Sequence, residues 1–371
     1  MKRVILSVTN DLVTDQRLEK VCDFLVSNGF EVLLVGRRYR NSPSLEPRKY
    51  ATKRLHLIFR KGFAFYAEYN LRLFFYLLFK KCDILVANDL DTLLPNFLVS
   101  RIRKKKIIYD SHEYFCGLPE LEGRPFVTAF WKKIERFCFP RLPEVTTVSS
   151  SIAEIYDKEY PQRNNKVKVV RNFPRRNKPA LTETRATLGL PEDKKLIVMQ
   201  GAINKDRGAE ELILAMKETD NALLLIIGNG DVIPQLNKLV DNENLSEKVK
   251  FIPRLTPERL FQHTTHCDLG CSLEKNTNAN YRYALPNKLF DYIRAGIPVL
   301  VSDLPEMKKI IAESQVGETI TSHSPSDIAA SINSLFTDTQ RYNSYKQNTK
   351  AAAEKYCWEN EEAVLRQVYG I

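Results

Sequence analysis

The stretch VILSVTNDLVTDQRLEKVCDFLVSNGFEVLLV, residues 4–35, sets the fold class. Val4-Ile5-Leu6-Ser7-Val8 is a short, nearly continuous apolar run, as in a strand covered on both faces. Leu18, Val21, Cys22, Leu25 and Val26 then recur at the spacing of one helix face. Asn28-Gly29 supplies a helix stop, and residues 31–35 read as a second strand. Strand, helix, strand makes a βαβ unit, which requires a parallel sheet with right-handed crossovers.

The alternation continues outward. Strands are expected at 83–87, 106–109 and 144–148, with helices at 93–102 and 127–139. Residues 171–179, RNFPRRNKP, break the periodicity with two prolines and four cations and read as a linker. Strands follow at 196–200, 222–227, 249–252, 268–273 and 298–302, with helices at 209–216, 232–240, 257–263 and 289–294. The chain is therefore α/β, with two doubly wound Rossmann-like parallel-sheet domains. The expected domains are 1–172 and 173–355, followed by a terminal segment, 356–371. Ligands of such sheets bind beyond the carboxyl ends of the strands, and the cleft between two facing sheets is the expected active site.

Composition narrows the partners. Hydrophobic residues are 43% and charged residues 27% of the 371, as in ordinary globular proteins. The net charge of +11 suggests an anionic partner: a nucleic acid, a phosphorylated small molecule or an acidic membrane surface. Seven scattered cysteines without a Cys-x-x-Cys pair suggest reduced thiols in a cytoplasmic protein. The apolar run from Val4 ends at Asn10-Asp11, too early for a secretory signal. The longest apolar run, 73–79, is far short of the roughly 18 residues that span a bilayer.

The densest chemistry lies in NYRYALPNKLFDYIRAGIPVLVSD, residues 280–303. Pro286-Asn287 is expected to open a helix with Asn287 as its cap, and Gly296 with Pro298 to close it. The N–H groups at such a helix start, with Lys288 beside them, attract phosphate. Asp291 lies one turn on and can accept hydrogen bonds from ribose hydroxyls. QGAINKDRG, residues 200–208, lies between a strand and a helix. An Arg207 guanidinium there matches phosphate oxygens bidentately. A cation at a helix start opposes the dipole, and a bound phosphate removes the conflict.

Residues 286–303, PNKLFDYIRAGIPVLVSD, resemble the nucleotide-sugar motif of GT-B retaining glycosyltransferases of the family-four type, which serve bacterial polysaccharide and lipid-linked glycan biosynthesis. The resemblance implies a metal-independent hexosyl transfer from a UDP- or GDP-sugar to a hydroxyl of a glycan or lipid-linked acceptor, with no permanently bound cofactor. It implies that Gly201, Arg207, Pro286, Asn287, Lys288, Leu289 and Asp291 bind the donor. Gly228 of the Gly228-Asn229-Gly230 turn and Arg254 of the Pro253–Leu255 loop would lie near the base. Tyr283 stands eight before Asp291, where the family has a Glu, and either Tyr283 or Glu274, which follows a strand, takes that role. The second phosphate cation is Lys288 or Lys205. His112 in YDSHE, residues 109–113, matches a histidine beside the transferred sugar and can hydrogen-bond it or move the acceptor proton. Asp15, Arg17, Asp89 and Asn172 resemble acceptor-side positions. Residues 358–369 resemble a terminal helix that crosses back to the first domain.

Other readings are open. Asp89-Leu90-Asp91 is a D-x-D of the metal–nucleotide kind, in the wrong half and beside a helix start where acids cap. His263, His266, Cys267 and Cys271 superficially suggest zinc but lack paired zinc spacing. Residues 54–81 mix phenylalanines with cations, giving either a core helix or an anchor on an anionic membrane inner face. No nucleic-acid role is expected beyond the rival of a non-catalytic basic protein; an epimerase of the same fold is a second rival.

Overall fold

A computed structural model describes every residue of the chain except Thr14. It divides into two compact units: Met1–Asn172 with Glu361–Ile371, and Phe173–Asn360.

The first unit holds seven parallel strands: β1 (Arg3–Asp11), β2 (Glu31–Arg38), β3 (Ala51–His56), β4 (Ile84–Asn88), β5 (Lys106–Ser111), β6 (Glu144–Thr147) and β7 (Lys168–Val169). Their order is β3-β2-β1-β4-β5-β6-β7. The covering helices are α1 (Gln16–Ser27), α2 (Gly62–Phe79), α3 (Leu90–Arg103), α4 (Pro125–Cys138) and α5 (Ser150–Glu159). All five residues of β4 are buried, which explains its unbroken apolar run. Ile5, Val35 and Leu55 pack against Phe65, Tyr69, Leu73 and Leu77 of α2. Strand β3 was not expected, because ATKRLH pairs only at the sheet edge and carries polar side chains. It takes Arg54 out of the basic-aromatic segment: the guanidinium pairs with Asp11 and donates to the Pro43 carbonyl.

The second unit holds six: β8 (Lys195–Ala202), β9 (Ala222–Asn229), β10 (Val249–Ile252), β11 (Leu269–Ser272), β12 (Val299–Ser302) and β13 (Gly317–Ile320), in the order β10-β9-β8-β11-β12-β13. Its helices are α6 (Ala209–Ala215), α7 (Ile233–Asn242), α8 (Pro257–Thr265), α9 (Ala279–Tyr283), α10 (Asn287–Ala295), α11 (Pro305–Ser314), α12 (Pro325–Thr337) and α13 (Thr339–Lys355). The last helix, α14 (Trp358–Tyr369), spans residues 358–369, and the unit boundary at Asn360 falls inside it rather than before 356. Alternate residues of β8 and β9 feed two separate cores, Ile197, Met199, Leu224 and Ile226 in one and Leu196, Val198, Leu223 and Leu225 in the other.

In each sheet the strand order reverses beside the first strand, at β1/β4 and at β8/β11. Chains leave those neighbouring strands toward opposite faces, which opens a crevice at their carboxyl ends. That geometry fixes where a site can form in each unit.

Candidate active site

At the β8/β11 crevice of the second unit, the Lys288 ammonium lies 2.9 Å from the Glu274 carboxylate, with both side chains almost fully buried. Ser272 Oγ donates to Glu274 Oε2 at 2.8 Å. Burial pushes the Glu274 carboxyl up, but Lys288 and Arg207 outweigh it and hold it below its ordinary range. Arg207 lies over the Tyr281 ring at 5.4 Å. Arg207 Nε is buried without a hydrogen-bond partner, and Lys288 Nζ has none beyond its ion pair. Two cations with spare donors thus flank one carboxylate.

The glycines hold the loops close. Gly208 has a φ of +78°, and a Cβ there would meet the Leu273 carbonyl oxygen at 2.3 Å. A Cβ on Gly228 would lie 2.0 Å from the Gly201 carbonyl oxygen. Backbone therefore touches backbone where β8, β9 and β11 end, which only glycine allows.

Helix α10 begins at this cluster. Pro286, not Asn287, occupies the cap position, and no side chain caps the helix start. Asn287 is the first helical residue because the proline ring already fixes the extended entry. By contrast Thr256, Asn278 and Ser324 cap α8, α9 and α12 with their side chains. Leu289 is a core residue behind the helix start. Asp291 Oδ2 accepts from Gln200 Nε2 at 3.3 Å, and Gln200 Oε1 accepts from Thr264 Oγ1 at 2.8 Å. Gln200 was missed as a site residue; a polar side chain closing an apolar strand was its signal. Tyr281 carried no such signal. Arg254 is exposed between β10 and α8, and among the described residues no hydrogen bond or ion pair joins it to the Arg207–Glu274–Lys288 cluster. Tyr283 lies in α9, and Lys205 is exposed.

In the first unit, His112 follows β5. Its ring nitrogens sit 3.5 Å from Asp89 Oδ2 and 3.2 Å from Asp110 Oδ2, and its backbone N–H donates to Asp89 Oδ1 at 2.8 Å. Arg17 grips Asp110 with two hydrogen bonds, 2.7 and 3.0 Å, and donates to the Val170 carbonyl. Arg17 is thus a buried strut between Asp110 and the Val170 carbonyl. Asp15 caps α1 by accepting from the Leu18 N–H. Asp89 does not cap α3; it takes a φ of +61° and turns its carboxylate to His112. Asn172 Oδ1 is buried without a partner. Burial pushes the Asp91 carboxyl up to about 8, with Asp89 adding to the effect, while Thr9 Oγ1 donates to it at 2.5 Å. His263 and His266 spend ring nitrogens on the carbonyls of Arg259 and Glu183.

Burial works against charging His112, but Asp89 and Asp110 prevail and raise it to about 9. Its charge therefore stabilises the fold fully below pH 6.5, and that contribution is lost as pH rises through about 9. An NMR titration should place the His112 Cε1–H midpoint near 9, and Asp89→Asn should pull it down by about one unit or more. A midpoint at or below that of free histidine would contradict this network.

Two family models tile the chain. The model of Glycosyltransferase Family 4 matches residues 16–173, and that of Glycosyl transferases group 1 matches residues 181–352. An uncharacterized glycosyltransferase of Methanocaldococcus jannaschii is 27% identical over 247 residues, 62% of this chain and 60% of the relative, so the match spans less than two thirds of that relative's length. Sucrose-phosphate synthase from Thermosynechococcus elongatus has the same fold over 100% of this chain and 98% of its own, with a TM-score of 0.81 at 17% identity. HepE of Anabaena, solved in complex with UDP and glucose, covers 100% of both chains with a TM-score of 0.78 at 14% identity. With its two parallel-sheet units and a family match on each, the chain belongs to the GT-B glycosyltransferases of the family-four type.

Proposed function

We propose that this glycosyltransferase moves a sugar, with retention and without a metal ion, from a UDP- or GDP-sugar to a hydroxyl of a glycan or lipid-linked acceptor. The observation that carries the reading is the Arg207–Glu274–Lys288 cluster beside the uncapped start of α10. Departure of a nucleoside diphosphate builds negative charge on the pyrophosphate. Arg207, Lys288 and the α10 amides are fixed donors for that charge, so they stabilise the transition state more than the bound substrate. Two protein cations serve where a divalent ion would otherwise be needed.

Asp291 accepts the ribose hydroxyls in exchange for its bond to Gln200. The Gly201–Gly228 contact makes a flat backbone floor for the base, with Arg254 at its rim. Glu274 is tied to Lys288 and Ser272, which makes it a weak nucleophile. It serves as a positioning residue and hydroxyl acceptor, and the incoming hydroxyl attacks on the face the diphosphate leaves. In the first unit, His112 as an imidazolium donates to a sugar hydroxyl rather than taking a proton, and Asp89 and Asn172 contact the acceptor.

No helix of the described residues is long and apolar enough to cross a membrane. We infer from the proposed lipid-linked acceptor that the enzyme works in the cytoplasm, on the inner membrane face. Thermal shift with UDP and GDP tests the donor assignment. At a hundredfold excess over Kd the matching nucleotide stabilises by about 2.7 kcal/mol. That raises the melting point of a domain this size by roughly 5–10 °C. A shift with neither nucleotide would overturn the assignment.

A further inference from the structure

Helix α2 is apolar on opposite sides. Its inward stripe, Phe65, Tyr69, Leu73 and Leu77, is buried in the core. The outward stripe, at four-residue spacing, is Phe63, Ala67, Leu71, Phe75 and Phe79, and every member is exposed, Phe79 at 80%. Helix faces turned to water are normally polar, and an apolar patch of this extent marks an interaction surface. The stripe continues onto α4, where the Phe63 and Phe130 rings meet edge-on at 5.8 Å. Phe126, 89% exposed, and Phe137 share that face of α4 with Phe130. Helix α3 packs against both helices and adds exposed Ile102.

Two cationic clefts border this face. One, of about 840 Å³, is lined by Arg124, Lys132, Lys133 and Arg136. The other, of about 570 Å³, is lined by Arg101, Lys104, Lys105, Lys106 and Arg141. Glu135 and Glu159 neutralise Lys132, and Asp83 pairs with Lys105. Among the described residues no ion pair joins a carboxylate to Arg124, Lys133, Arg136, Arg101, Lys104 or Arg141. Apolar side chains between unpaired cations match acyl chains beneath anionic headgroups. A second copy of the chain would bring like charges together. A polynucleotide could stack bases on the phenylalanines but would leave Leu71 and Ile102 without a partner.

We propose that the α2–α4 face docks on an anionic bilayer, with the phenylalanines in the headgroup–acyl boundary and the two clefts holding lipid phosphates. The proposal deepens the lipid-linked acceptor reading and rests on it for its purpose. The test is sedimentation of the full chain with vesicles of phosphatidylcholine alone and of phosphatidylcholine with phosphatidylglycerol. Binding should require the anionic lipid and weaken with salt. The triple variant Phe63→Ser, Phe75→Ser, Phe79→Ser should lower vesicle binding about tenfold or more. A second variant, Lys133→Glu with Arg136→Glu, should remove the preference for anionic lipid. Both variants should keep the UDP or GDP thermal shift, so a failure of docking is separable from a failure of the donor assignment. Absence of vesicle binding, binding unchanged in the triple variant, or a dimer that the triple variant dissolves would each overturn the proposal.

Discussion

Replacing Arg207 by alanine should cut turnover about a hundredfold to a thousandfold, the usual loss when one fixed donor to a developing charge is removed. The fold should be unaffected. Arg207 makes no ion pair among the described residues, its Nε has no hydrogen-bond partner, and its main protein contact is the Tyr281 ring. As a cation ahead of α6 it also opposes the helix dipole, so its removal should leave the melting point within a few degrees of wild type. Arg207→Lys should recover part of the loss, because it keeps the charge without the fork. The nucleotide thermal shift should shrink with the activity. Wild-type kcat/KM in Arg207→Ala would remove this guanidinium from the phosphate site.

The residues of the proposed donor side lie in local strings, so the sequence alone could single them out. Gly201, Arg207 and Gly208 sit within nine residues of one another and follow an apolar strand, and the α10 motif is a continuous string. What the sequence could not show is pairing across long separations. Arg17 and Asp110 are 93 positions apart, and only the β1/β4/β5 order brings them together. The structural tasks of Asp15, which caps α1, and of Arg17, which braces a buried carboxylate, were therefore not visible in the sequence. Asp89 was misread locally: an acid before a helix suggests a cap, but His112 competes for its carboxylate and wins. At Asn287 a neighbour overrode propensity, since Pro286 takes the extended cap position and leaves Asn287 as the first helical residue. Edge strands β3 and β7 escaped notice because one is half polar and the other only two residues long.

Lys288→Met should destabilise the second unit by about 3–5 kcal/mol, the cost of leaving a buried charge without its partner. Glu274 would then sit 2% exposed with Ser272 as its nearest donor. The size of the deficit should depend on pH. In the wild type the Glu274 carboxyl is held below its ordinary range, so its contribution is present above pH 4.5 and lost as pH falls through the folded value. Without Lys288, burial dominates and the folded value rises above the unfolded one. The variant is then penalised above pH 4.5 and relieved on acidification, so urea denaturation should show a smaller deficit at pH 5 than at pH 8. Adding Glu274→Gln removes the charge and should restore most of the stability, to within about 1–2 kcal/mol, while turnover stays lost. That split separates the pair's two tasks: Glu274 makes a buried ammonium tolerable, and the ammonium serves the leaving phosphate. A Lys288→Met variant as stable as wild type at pH 8 would mean that the pair is open to water, and the low-dielectric charge stabilisation assigned to it would fall with that result.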